Sequence, residues 1–529
     1  MTSIEETYVK KTQRELVLLR PDTYVGATAV PSDPSEHYVY DAESRRIVRR
    51  AVRVSPALFK IFDEVLVNAA DRGQHGATTI KVLFNADKAS FSVVNDGPSL
   101  PLERHAKEGV YVPELVFAHM NTSSNYDDTI KRTTGGRNGL GVKLANLFSR
   151  RFALRVRRDG ALYEQDFNGN MEVIGEPRIG KRQVDKKGAS LPDYVSVTAW
   201  VDMSRFGFER ADAPFDHDTL ALLRRRVVDV AACNPHLSVW LDNEPAPVPV
   251  RSLDAYARCC LGERGVFDTN PKAKRKAKAD DDTAMTTNAV AATTTTIAAT
   301  AAVEAPAPAT TPAATVVSAQ CGERWAIAVC ASRGDAAAAT DAVVEGASFV
   351  NSVATSRGGT HVRFVTDRLV KALEAIAAKR ATKRSLPPAR GAQIRRHLCL
   401  FVAALVENPT FDAQNKECLT TQPKDFGSLP EIDDAFVKRV AKCGVLDLAG
   451  VCARTVYSAH RAHALTQSAM SRRSTSGRWP RRRAKRRQWA ALASLQQPAS
   501  AGAAASRACR NSTTPTRPAA RAQASARSS

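Results

Sequence analysis

The chain has 529 residues, 43% of them apolar, and a formal net charge of +22. Length allows two to four domains, and composition allows at least one sizeable core. No run approaches ~20 consecutive apolar residues, which excludes a membrane-spanning helix. The opening MTSIEETYVKKTQ lacks the apolar stretch of a secretory signal. Ten scattered cysteines with no CxxC spacing exclude a zinc-ligand pattern or a disulfide framework, and they fit a reducing intracellular compartment.

The charge is unevenly placed. After Asp447 there is no Asp or Glu, while 16 Lys and Arg follow, so the first 447 residues carry only the remaining +6. A polyanion partner fits this, nucleic acid first, set against a merely solubilising tail. Residues 1 to about 265 read as mixed α/β. Residues 268–318 begin near PKAKRKAK (271–278) and become Thr, Ala and Pro, a composition that cannot offset ordering entropy and predicts a disordered insertion. Order is expected to resume near Cys321 with ERWAIAVCAS and to fade before about 465.

SPALFKIFDEVLVNAADR (55–72) is the first informative segment. Ser55 suits an N-cap and Pro56 the first helical position. Leu58, Ile61, Phe62, Val65, Leu66 and Ala69 form one apolar face, while Glu64, Asn68 and Asp71 share another at i, i+4 and i+7. Alone, such a face is more often just solvated. The sharper reading has Glu64 take a proton from water and Asn68 offer an amide oxygen to Mg²⁺, which prefers oxygen ligands.

TIKVLFN (79–85) and SFSVVND (90–96) read as paired strands, the second ending in Asn95-Asp96-Gly97, which is ordinary turn chemistry by itself. TTGGRNGLGVKLANLFSRRF (133–152) places four glycines before a helix expected to start near Val142, with Lys143 in its first turn. Glycines let backbone approach an anion, and free amides at a helix start point towards it. The spacing is neither a Walker A loop nor a Rossmann fingerprint, and a lone loop of this kind is more often structural.

Taken together and in order, these segments resemble the GHKL ATPase of eukaryote-type type IIA DNA topoisomerases. KKTQRELVLLRPDTYVGA (10–27) resembles that family's N-terminal arm and first strand. IFDEVLVNAADR (61–72) is similar to its catalytic helix. YVPELVFAHMNTSSNYDD (111–128) and TGGRNGLGVKLANLFS (134–149) resemble its ATP lid. FVNSVATSRGGTHV (349–362) and ENPTFDAQNKECLTTQPKDFGS (407–428) resemble its transducer. The resemblance spans about residues 5 to 450.

It implies an α/β architecture: a GHKL ATP-binding domain over 1–250 and a ribosomal S5-like transducer over 251–455, interrupted by 268–318, with a disordered basic tail over 456–529. It also implies roles. Glu64 is the general base and Asn68 the Mg²⁺ ligand. Asn95 meets the base or ribose, and Ser123, Ser124 and Asn125 line the nucleotide pocket. Gly136, Arg137, Asn138, Gly139, Leu140, Gly141, Val142 and Lys143 wrap the triphosphate. Gln414 and Lys416 reach in from the transducer, Lys416 to the γ-phosphate. The cofactors implied are ATP and Mg²⁺. The partners are double-stranded DNA and a second copy of the chain, with no membrane.

Four positions depart from the family pattern: Ser99 where a glycine is usual, Leu140 and Val142 for Tyr and Ala, and Asn415 within Gln-Thr-Lys. No carboxylate cluster or cleavage-type tyrosine motif follows Asp447, so the expectation is a truncated or frameshifted chain that does not cut DNA alone. Alternatives are a non-hydrolysing DNA-binding or dimerising remnant, an ATPase subunit beside a separate cleavage subunit, and another GHKL enzyme of MutL or heat-shock type, against which 349–362 and 407–428 argue. PKAKRKAK fits a nuclear-import run and, equally, a solubilising one.

Overall fold

A computed structural model describes residues 4–136, 138–268, 315–332 and 345–458. Thr12 and Glu15 cap each other's backbone at the start of the Gln13–Leu19 helix. This capping box starts a helix over Gln13–Leu19, a 3-10 turn follows at Pro21–Thr23, and the strand expected within 10–27 is absent. The first strand is β1 (Ser35–Asp41), paired with β2 (Arg46–Val52).

The Pro56–Asp71 helix follows, and Ser55 Oγ accepts from Leu58 N at 3.3 Å. Its apolar face lies on a sheet built from β3 (Thr79–Asn85), β4 (Ser90–Asp96), β5 (Ser149–Arg158), β6 (Ala161–Asn168), β7 (Val173–Ile174), β8 (Arg178–Ile179), β9 (Tyr194–Val201) and β10 (Ser238–Leu241). Among the described residues the order is β10-β3-β4-β9-β5-β6-β7, with β8 also on β6. Within this sheet, among the described residues, only β10 and β3 run parallel. The His217–Cys233 helix packs beside the Pro56–Asp71 helix on the same layer.

A second sheet has the order β11-β12-β15-β13-β14, from β11 (Val317–Gln320), β12 (Trp325–Ala331), β13 (Glu345–Val350), β14 (Val353–Ala354) and β15 (Leu398–Ala404). Strand β11 begins before Cys321, so order resumes earlier than the composition implied. The alternation of β12 and β15 shows why both faces are covered. Ile327, Val329, Leu400 and Val402 face one core, beneath the Thr360–Arg384 helix. Ala328, Cys330, Cys399 and Phe401 face the other, which is continuous with the core of the first sheet. Tyr256 fills the junction, with its ring 5.7 Å from Phe349 and 6.1 Å from Phe401.

Residues 445–458 are helical, so 456–458 of the tail expected to be unstructured form part of a helix. The rest of that tail, and 269–314 of the insertion, lie outside the described residues, as does Arg137. No helix among the described residues is long and apolar enough to cross a membrane.

Candidate functional site

The face of the Pro56–Asp71 helix that carries Glu64, Asn68 and Asp71 opens onto a cavity of about 1040 Å³. Glu64, Asn68 and Asp71 line it from the helix, Asn95 from the end of β4, Ser123, Ser124, Asn125, Gly136, Asn138, Gly139, Gly141, Val142 and Lys143 from the loop and short helix that follow, and Gln414 and Lys416 from beyond the second sheet. Leu140 is the exception. It is not in the lining and packs its side chain against the core.

Glu64 is buried, and three hydrogen-bond contacts fix its charge. Lys416 Nζ donates to Oε1 at 2.9 Å and to Oε2 at 3.0 Å, while Lys60 Nζ lies 2.8 Å from Oε1. Burial pushes the carboxyl up, but the two ammonium groups overcome it and hold its pKa at about 2. Lys60 sits one turn before Glu64 and also lies 3.5 Å from Asp63. Lys416 adopts φ +59°, at the tip of a loop closed by the Phe411–Leu419 bridge.

Asp71 behaves oppositely. Its oxygens accept from Gly135 N at 2.9 Å and Gly136 N at 3.0 Å, yet burial outweighs these bonds and raises its pKa to about 7. Lys143 is also buried. Its Nζ donates only to carbonyls among the described residues, Thr122 O at 2.8 Å and Gly139 O at 2.6 Å, and burial lowers its pKa to about 8.

The glycines are needed for close approach. A Cβ on Gly141 would fall 1.9 Å from Glu64 Oε2, and one on Gly139, at φ +61°, would fall 2.3 Å from Thr122 O. Asn125 Nδ2 donates to Gly136 O at 2.9 Å, and Asn138 Nδ2 to Gln414 Oε1 at 2.8 Å. A cradle lined by backbone, two ammoniums and an acid beside an amide oxygen can hold an anion and move a proton next to it.

Residues 53–185 match the family described as Histidine kinase-, DNA gyrase B-, and HSP90-like ATPase, and residues 335–444 match DNA gyrase B. The chain is 36% identical over 441 residues to DNA topoisomerase 2 of Candida glabrata, covering 83% of this chain and 27% of that protein. It is 34% identical over 444 residues to the Saccharomyces cerevisiae enzyme, again covering 83% of this chain and 27% of the relative. Among solved structures, the ATPase and transducer domains of Balamuthia mandrillaris DNA topoisomerase II superpose with a TM-score of 0.68 at 35% identity, covering 86% of this chain and all of that one. The chain belongs to the DNA topoisomerase II family. The ATPase region of the Saccharomyces cerevisiae enzyme matches with a TM-score of 0.66 at 32% identity, covering 84% of this chain and 97% of that one. The fold is thus the GHKL ATPase followed by a transducer, and the chain spans about a quarter of the length of the curated relatives it matches.

The departures at Ser99, Leu140 and Val142 have local explanations, and the one at Asn415 has none. Ser99 is buried and donates from Oγ to Arg157 O at 2.6 Å, and its carbonyl accepts from Arg158 at 3.0 Å. The glycine requirement at this turn falls on Gly97 instead, at φ +86°, where a Cβ would sit 2.7 Å from Ala77 Cα. Val142 joins the core. Asn415 Oδ1 is buried without a hydrogen-bond partner among the described residues. Sequence reasoning missed Lys60 and the lid contacts of Asp71. Lys60 stood in view at i−4 from Glu64, whereas the Asp71 contacts depend on a chain return 64 residues later.

Proposed function

We propose that this chain is the ATP-driven gate of a type II DNA topoisomerase, hydrolysing ATP to open and close around duplex DNA. The observation that carries the proposal is the convergence of Glu64 and Lys416, 352 residues apart, on one buried contact within the cavity. Glu64 takes the proton of a water as its oxygen attacks the γ-phosphorus and the bond to the β–γ bridging oxygen breaks, leaving ADP and phosphate. Lys416 donates to Glu64 or to a terminal phosphate, so the phosphate group competes for the ammonium that lowers the basicity of Glu64. Lys143 and the Gly136–Gly141 backbone hold the remaining phosphate charge, with Asn138 and Gln414 bridging the lid to the transducer.

Asn95, Ser123, Ser124 and Asn125 border the nucleoside end. Mg²⁺ fits here because Asn68 offers a neutral oxygen, Oδ1, 3.3 Å from where a Cβ on Gly136 would stand, beside the phosphate cradle. It supplies charge neutralisation on the phosphates. A second copy of the chain is the partner whose ATP-dependent association closes the gate, in a nuclear setting. Strand cleavage is assigned to residues other than these, on the same polypeptide or on a separate subunit.

The test is Mg²⁺-dependent ATP hydrolysis by the purified chain with and without duplex DNA. Glu64→Gln should lower turnover by about 10²–10⁴-fold while nucleotide still binds. Turnover unaffected by that change would remove Glu64 from the mechanism. No turnover by folded parent protein would leave a binding remnant.

A further inference from the structure

The segment 128–136 covers one side of the cavity, which Ile130, Lys131, Arg132, Thr133 and Thr134 line. It is tied down from outside itself: Gln74 Nε2 donates to Thr133 O at 2.9 Å and Gln74 Oε1 accepts from Thr133 Oγ1 at 3.2 Å, while over 128–132 the hold is Asn408. Asn408 donates from its backbone N to Arg132 O at 2.9 Å, and its Oδ1 accepts from Arg132 N at 3.1 Å. Its Nδ2 donates to Asp128 O at 2.9 Å and to Ile130 O at 3.3 Å. Asn351 Nδ2 adds a bond to Thr134 O at 3.1 Å, and Asp71 holds Gly135 and Gly136 beyond that.

Asn408 is itself anchored by the second sheet. It follows β15 by four residues, at φ +42°, a conformation asparagine tolerates. Asn351 clamps Val406 in both directions, at 2.8 and 2.9 Å, and Arg324 pairs with Glu407 at 2.8 Å. The exit of β15 therefore fixes where the cover lies. This link is separate from Gln414 and Lys416, because Asn408 is not in the cavity lining.

We propose that Asn408 is a positioning residue that clasps the 128–132 cover to the transducer and so sets how long the cavity retains its nucleotide. A shift of the 405–409 segment would then loosen the cover without moving the phosphate-facing groups. The proposal rests on the reading of the cavity as the ATP site.

The experiment uses the full chain with Asn408→Gly, which keeps the positive φ without strain and removes only the side chain, and with Asn408→Asp, which keeps the acceptor for Arg132 N but turns a second acceptor towards the Asp128 and Ile130 carbonyls. Three readouts are compared: amide hydrogen exchange over 128–134 without nucleotide, dissociation of Mg²⁺-bound N-methylanthraniloyl ATP, and steady-state ATP hydrolysis. Both variants should exchange faster over the 128–134 segment, Asn408→Gly also at Arg132 N itself, and release the probe at least fivefold faster. KM should rise by a similar factor, with kcat within twofold and an unchanged melting temperature. Parent-like exchange and release in either variant would overturn the clasp. A fall in kcat and melting temperature together, without a change in KM, would reduce Asn408 to a structural part and overturn it as well. If exchange rises but the parent binds no nucleotide, the ATP reading of the cavity fails and the retention role falls with it, while the contact itself stands.

Discussion

Glu64 and Asp71 share one helix face but are pushed in opposite directions by their surroundings. Burial weighs on both. Only Glu64 has two ammoniums within hydrogen-bond reach, whereas Asp71 meets two backbone amides. The folded-state pKa of Asp71, about 7, lies above its ordinary 3.8. The fold thus favours its protonated form, and the stabilisation is full below 3.8 and lost as pH rises through about 7. Glu64, lowered from 4.5 to about 2, contributes stability that is present above 4.5 and lost as pH falls through about 2. Replacing Asp71 by Asn, which keeps one acceptor for the lid amides, should flatten the dependence of melting temperature on pH between about 4 and 7. Equal slopes in parent and variant would show that Asp71 does not titrate there. At this scale helical spacing put Glu64, Asn68 and Asp71 on one face, glycine placement marked the loop before Lys143, and the family resemblance alone pointed to Ser123, Ser124, Asn125, Gln414 and Lys416. The sequence did not tell the charge states of Glu64 and Asp71, because Lys416 and Gly135 reach them only through the fold.

At the scale of elements, segments with strong local signals were legible. The 55–72 segment carries its own cap, proline and apolar stripe, and it forms a helix over Pro56–Asp71. The alternation in 79–85 and 90–96 gives β3 and β4. The 10–27 segment was misjudged because likeness to an arm and strand outweighed the Thr12–Glu15 box that was written in it. The loop carrying Gln414 and Lys416 has no periodic signal. Its position depends on Gly359, at φ +136°, where a Cβ would lie 2.5 Å from both the N and the O of Leu419. Backbone cannot give way there as a side-chain tip can. Gly359→Ala should displace the loop and lower ATP turnover on the order of 100-fold with unchanged circular dichroism. A parent-like rate would mean that the loop position does not govern Lys416.

At the scale of the molecule, the two sheets are joined by a buried polar chain as well as by the shared core. Arg226, fully buried, donates from Nε to Asp63 Oδ1 at 2.7 Å and from Nη2 to Ser352 O, while Asn234 Nδ2 reaches Ser352 Oγ at 2.9 Å. Asp63 precedes Glu64 on the helix, so the turn after β13 is tied to the residue beside the acid. Arg226→Met leaves the Asp63 carboxylate buried with Lys60 3.5 Å away and should destabilise the chain by about 3–5 kcal/mol. The double change Asp63→Leu/Arg226→Met should recover most of that in denaturant melts. An Arg226→Met variant as stable as the parent would show the ion pair to be dispensable. None of this junction was legible beforehand, since a charged residue at position 226 reads as solvated until its partners are known.

The Lys416–Glu64 contact also sets an order on making the protein. A ribosome that has finished the whole first sheet has built most of the cavity wall, yet it is still well over a hundred residues short of Lys416. The nascent chain at that point has Lys60 as the nearby counter-charge for Glu64 and has no lysine to offer a terminal phosphate from the far side. On the proposed ATPase reading, hydrolysis would therefore wait until the second sheet and the loop after it have been synthesised.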